Sequence, residues 1–113
     1  MKPDVLFVVR ADPSREQVAT EVLSEILTFA AFDVSVRLLF LGEGVRFLAA
    51  DIAPALSGMM ASLGFYGIEE LFAERESLDA FSVPEENLPM PVTILTQSDI
   101  SSFLHRHDWI IGA

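Results

Sequence analysis

The chain has 113 residues, 51% of them apolar, and carries 17 acids against 7 bases for a formal charge of −10. This is a globular composition of the length of one domain, so residues 1–113 are read as a single domain. The acid excess repels nucleic-acid phosphates, and the absence of cysteine removes disulfides, thiolate metal sites and cysteine nucleophiles together. No apolar stretch approaches the ~20 residues of a membrane span. Met1-Lys2-Pro3-Asp4 leads into an apolar run far too short for a signal peptide, which makes the cytoplasm the expected compartment.

Val5-Leu6-Phe7-Val8-Val9 is uninterrupted, rich in β-branched residues and of strand length, the pattern of a strand buried on both faces. Asp12-Pro13-Ser14 reads as a helix start. Either Asp12 caps with Pro13 at the first helical position, or Ser14 caps with Gln17 completing a capping box. The helix then sets Val18, Val22, Leu23, Ile26 and Leu27 on one face and leaves at Asp33. Val34 to Leu41 is a second strand. Gly42-Glu43-Gly44 is the turn at its end, followed by a short helix beginning at Val45, Phe47 and Leu48. Beyond Pro54, Leu56, Met59, Met60 and Leu63 recur at helical spacing, with both methionines as core filler, and Gly64 ends the piece. The stretch 67–81, with six charged side chains, is ambiguous between helix and strand by period. Pro84 to Pro91 is a loop. Val92 to Thr96 is a strand, Thr96 caps a helix with Asp99 three residues on, and Asp108 to Ile111 is a last strand. Strands alternating with helices predict an α/β domain with a mainly parallel sheet and helices on both faces.

No residue pattern here amounts to a catalytic, cofactor-binding or metal-binding constellation. There is no G-x-G-x-x-G, no G-x-x-x-x-G-K-[ST] and no G-x-S-x-G, so Ser14, Ser57, Ser77 and Ser98 lack a nucleophile's context. Glu43 would repel a phosphate from the Gly42–Gly44 turn, which is instead a tight exit from the strand. A phosphorelay receiver would need a lysine after the last strand, and the only lysine is Lys2. His105 and His107 stand two apart at a helix end rather than on one face. A cationic cluster there is favoured by the helix dipole without any metal.

Three stretches, LLFLGEGVRFL (38–48), LGFYGIEELF (63–72) and PVTILTQSDISSFLHRHDWII (91–111), together resemble the DsrE/DsrF/DsrH family, and within it the DsrF/TusC branch. The resemblance runs over almost the whole chain. It implies a three-layer α/β/α fold with a five-stranded, mainly parallel sheet, in which the 67–81 stretch supplies the third strand. It also implies assembly. Members form dimers of heterotrimers, so the implied partners are paralogous DsrE/TusD-like and DsrH/TusB-like subunits in a heterohexamer, with a downstream sulfur-carrier protein. Such complexes relay a protein-bound persulfide toward 2-thiouridine in tRNA or within sulfur oxidation. The sulfur-carrying subunit holds a cysteine just after a Leu-x-x-Tyr-x-Ile pattern. Carried onto this chain, that position falls at or next to Glu74, and a carboxylate cannot take up a persulfide.

The resemblance therefore implies a non-catalytic subunit that supports a partner's cysteine, with Glu74, Tyr66, Phe72 and Glu70 as interface candidates around the position of the family cysteine. The acidic run either faces water or meets basic groups of a neighbour. The alternative is a stand-alone homo-oligomeric module that keeps the fold, has lost the relay, and binds a small ligand at the strand ends near Arg10 and Gly42. A third possibility is an enzyme using Glu43, Glu74 or His105 as acid or base.

Overall fold

The computed structural model describes residues 3–113. Among them, five strands form one sheet: β1 (Asp4–Val9), β2 (Ser35–Phe40), β3 (Leu71–Glu74), β4 (Thr93–Leu95) and β5 (Trp109–Gly112). They lie in the order β4-β3-β2-β1-β5, and every neighbouring pair is parallel. The apolar runs of β1 and β2 lie inside the sheet, where both faces need cover, and Leu6, Phe7, Val9, Leu38, Leu39 and Phe40 are fully buried.

The connections explain which helices lie where. From β1 to β4 the chain steps in one direction across the sheet through α1 (Glu16–Ala31), α2 (Pro54–Ala61) and α3 (Arg75–Ala80). It then returns past every strand to reach β5 on the far side of β1, through α4 (Gln97–His105). Crossovers of one hand that reverse direction must pass over opposite faces. Accordingly Val5, Phe7, Val9, Val36, Leu38 and Phe40 pack with Ala19, Leu23 and Ile26 of α1, Leu56 and Met60 of α2, and Leu78 of α3. The alternate residues Leu6, Val8, Leu39 and Leu41 pack with Ile100 and Phe103 of α4. The result is the predicted three-layer arrangement with an all-parallel sheet.

Several local expectations are corrected. α1 begins at Glu16 with Arg15 at the cap position and no side-chain cap. Neither Asp12 nor Ser14 caps it, because the Asp12 carboxylate accepts the Ser14 backbone N–H at 2.9 Å in a tight local turn that ends before the helix. Thr96 does occupy the cap position of α4, but its hydroxyl accepts no backbone N–H and instead donates to the Asp99 carboxylate at 2.8 Å. The short helix after β2 is a 3-10 helix over Gly42–Leu48, entered through a left-handed Gly42 at φ +55. The ambiguous stretch is two elements, β3 followed at once by α3, and the Pro84–Pro91 loop carries one 3-10 turn at Glu85–Asn87. Met60 is buried and Met59 packs against the same core, as filler. Among the described residues, no helix is long and apolar enough to cross a membrane.

Candidate functional site: the strand-end network around Glu74

Ligands of parallel α/β sheets gather at the carboxyl ends of the strands, and here those ends are closed by protein. The 3-10 helix after β2 folds down onto the end of β1. Leu41 donates its N–H to the Val9 carbonyl at 3.0 Å, and Gly44 lies so close that a Cβ there would stand 1.9 Å from the same oxygen. The end of β1 is also tied to the end of β5, with the Arg10 N–H on the Ala113 carbonyl at 2.8 Å.

Glu74 is the last residue of β3 and has extended backbone where α3 begins. Its carboxylate accepts the Ser77 hydroxyl, and Ser77 Oγ in turn accepts the Gly42 N–H at 2.9 Å. This chain links the ends of β2 and β3. It also explains how Ser77, only 5% exposed, can be a buried polar side chain without penalty. Ser77→Ala would orphan the Gly42 N–H and strip Glu74 of its donor, and should cost about 1–3 kcal/mol in chemical denaturation. Ser77→Thr, which keeps the hydroxyl, should lose less if there is room for its methyl.

Of the remaining acids of the stretch, Glu70 and Glu76 are engaged within the chain, as are several acids near it. Glu76 accepts the Gln97 N–H at 2.9 Å, placing a carboxylate on the first turn of α4 where the dipole favours it. Glu85 takes the Arg75 guanidinium at 2.8 Å. Glu70 takes that of Arg37, with Asp4 at 3.9 Å on the other side. Glu43 lies in the 3-10 helix beside Asp12, which pairs with Arg46 at 2.9 Å. The Asp12 carboxyl is held below its ordinary range, chiefly by the Ser14 backbone N–H and hydroxyl, with Glu43 and Arg46 adding to this.

The other candidates are dispersed. Phe72 points to the α4 face, its ring 4.5 Å from that of Phe103. Tyr66 closes a 3-10 turn, Leu63–Tyr66, and is 44% exposed. His105 and His107 each place Nδ1 on a carbonyl one turn back, of Ser101 at 2.8 Å and Phe103 at 2.9 Å. The described residues contain no group of three or more potential ligands that could hold a metal. The part of the network that sequence reasoning missed is Ser77. Its spacing of three from Glu74, at a strand-to-helix junction, was the available signal.

Away from the strand ends, an apolar cavity of about 630 Å³ opens between α2 and the segments leading into β3 and β4, lined by Phe47, Met60, Leu63, Leu71 and Met90 among others. Phe65, next in the chain to the lining residue Gly64, is 93% exposed.

Solved structures share this fold along their whole length. The ychN protein of E. coli aligns with a TM-score of 0.69 at 13% identity over 100% of both chains. A protein of unknown function from Methanobacterium thermoautotrophicum aligns with a TM-score of 0.69 at 22% identity, also over 100% of both. In sequence, the chain is 30% identical over 117 residues to a protein TusC homolog of Pseudomonas aeruginosa, covering 98% of each. It is 27% identical over 112 residues to a protein TusC homolog of Aliivibrio fischeri, covering 93% of this chain and 94% of that one. The profile of the DsrE/DsrF-like family matches residues 4–112. With family profile and relatives agreeing over nearly its full length, the chain belongs to the DsrE/DsrF-like family, in its TusC-like branch.

Proposed function

We propose that the chain is a non-catalytic subunit of a hetero-oligomeric sulfur-relay complex, supporting persulfide transfer by a partner's cysteine toward tRNA 2-thiolation or sulfur oxidation. Its likeness to TusC homologs over their whole length supports the relay. The role within it rests on Glu74. The residue at the proposed position of the family cysteine is a carboxylate bonded to Ser77, in a chain with no thiol anywhere. Sulfur transfer needs a polarizable thiolate that attacks and leaves at sulfur, and oxygen cannot do this. The sulfur must therefore travel on another subunit, and this chain's contribution is to shape and complete the assembly.

Exposed aromatic surface supports the need for partners. Phe65, Phe32 at 76% and Trp109 at 64% are large side chains left in water by the isolated chain. The proposed partners are DsrE/TusD-like and DsrH/TusB-like paralogues, with the complex acting in the cytoplasm. Native mass spectrometry of the chain coexpressed with such paralogues should give a stable heteromer near six subunits, with persulfide on a partner's cysteine only. A well-behaved monomer that ignores the paralogues would end this proposal. A homo-oligomer carrying a small molecule would favour a binding module instead, and the 630 Å³ cavity is the place to look for that molecule.

A further inference from the structure

On the α4 face, a groove of about 420 Å³ lies between the last turn of α4 and the strands β2, β3 and β4. Its floor is apolar. The Phe72 and Phe103 rings meet at 4.5 Å, and Leu95 extends the surface. Its rim carries Arg37 with the Glu70 carboxylate that pairs with it, and then Arg106 and His107. The Arg106 guanidinium sits 5.5 Å from the Phe103 ring centroid, and the His107 ring is 4.8 Å from the same ring. A carbonyl only accepts, so the proton of neutral His107 is on Nδ1, bonded to the Phe103 oxygen, and Nε2 is the nitrogen left for another partner.

The cations of the rim differ in their engagement. Arg37 is held by Glu70 and Asp4. Arg106 has no carboxylate within ion-pair distance among the described residues. The chain has 17 acids for 7 bases, and with Arg37 and Glu70 offsetting one another, Arg106 leaves this apolar groove with an unpaired positive charge. A carboxylate arriving in this groove would meet that charge beside an apolar floor.

We propose that this groove is a docking site for an acidic segment of a partner subunit. One carboxylate side chain pairs with Arg106, and an adjacent apolar side chain lies on Phe72, Leu95 and Phe103. The proposal rests on the hetero-oligomeric function above and adds to it the chemistry of the contact. The guanidinium already rests in cation–π contact with Phe103, so less rotamer freedom is lost when a carboxylate arrives.

The test uses the coexpressed complex. Arg106→Lys keeps the charge and places a primary amine at the groove, and the sequence offers only Lys2 and the N-terminus as other amines. Treatment with a water-soluble carbodiimide should join the new amine to an Asp or Glu of a partner subunit that has an apolar neighbour in sequence, identified by peptide mass spectrometry. Separately, Arg106→Glu should weaken assembly by about 10-fold or more at low salt, while Arg15→Glu, at the start of α1 on the other face, should not. A heteromer that forms normally but links the amine only within its own chain, or to a second copy of it, would overturn the proposal and leave the subunit assignment standing. Equal effects of Arg106→Glu and Arg15→Glu would do the same. If no heteromer forms with any paralogue, the assignment itself falls and takes this contact with it.

Discussion

Gly44→Ala is expected to leave the chain without a stable fold. The added Cβ would stand 1.9 Å from the Val9 carbonyl oxygen, 2.7 Å from its carbon and 3.2 Å from the Arg10 Cα, all backbone atoms at the end of β1 that no side-chain rotation can move. Relief would require lifting the 3-10 helix, and with it the buried Val45, Phe47 and Leu48, out of the core. It would also break the bond from the Leu41 N–H to the Val9 carbonyl. Such a change belongs with the rare substitutions that cost more than about 4 kcal/mol, a large share of the ~5–15 kcal/mol that holds a small domain together. Gly58→Ala provides the contrast. Gly58 is within α2, a Cβ there meets nothing within 4 Å, and alanine should gain up to about 1 kcal/mol. Urea melts followed by circular dichroism would separate the two. If Gly44→Ala melted near the parent midpoint, the close approach of the 3-10 helix to β1 would be wrong.

Phe65→Asp should do the reverse, leaving the fold intact while disabling assembly. Its side chain is 93% exposed, so the isolated chain loses no packing. The turn that presents it is firmly set. Leu63 is buried beneath it, Gly67 closes it in the left-handed region at φ +79, and the Ile68 N–H returns to the Leu63 carbonyl at 3.1 Å. An exposed aromatic ring presented on a hydrogen-bonded turn, one residue from an apolar cavity, is the kind of anchor that dominates binding energy. Truncating such an anchor costs roughly 2–4 kcal/mol, or about 30- to 1000-fold in affinity. Thermal melting should be unchanged while the heteromer dissociates at micromolar concentration. Undiminished assembly by Phe65→Asp would move the interface to another face.

The legible parts of the fold were those where one physical demand acts alone. Val5 to Val9 read as a strand because a strand buried within a sheet needs apolar residues at successive positions, whereas Val92 to Thr96 read as one by its β-branched residues and proves to be a three-residue edge strand, Thr93–Leu95. The helical spacing of Leu23, Ile26 and Leu56, Met60 read as core-facing for a similar reason. Legibility failed where two demands competed for one residue. Asp12 has the chemistry of a helix cap, but a turn at Ser14 and the Arg46 guanidinium claim its carboxylate first. The stretch 67–81 resisted a periodic assignment because it holds a strand of four residues and a helix of six, neither long enough to establish a period. The Glu74–Ser77–Gly42 chain was half visible. The position of Glu74 came from resemblance, whereas the Gly42 contact depends on two strand ends meeting at a separation of 35 residues. The groove under Arg106 was not visible at all. It exists only because sheet register sets Arg37, Phe72 and Leu95 on one face and α4 returns across it.

That return has a consequence for how the chain is made. β1 is synthesised first and finds β2 soon afterwards, but its other neighbour, β5, arrives about a hundred residues later, with Val5 beside Trp109. α4, which shields Leu6 and Val8, comes almost as late. During translation, therefore, one edge and one face of the most apolar strand stay open until synthesis is nearly complete. Pairings this distant in sequence also close slowly. A nascent chain stalled before residue 97 would present an unguarded strand edge to its neighbours, an arrangement prone to self-association and a natural substrate for chaperones.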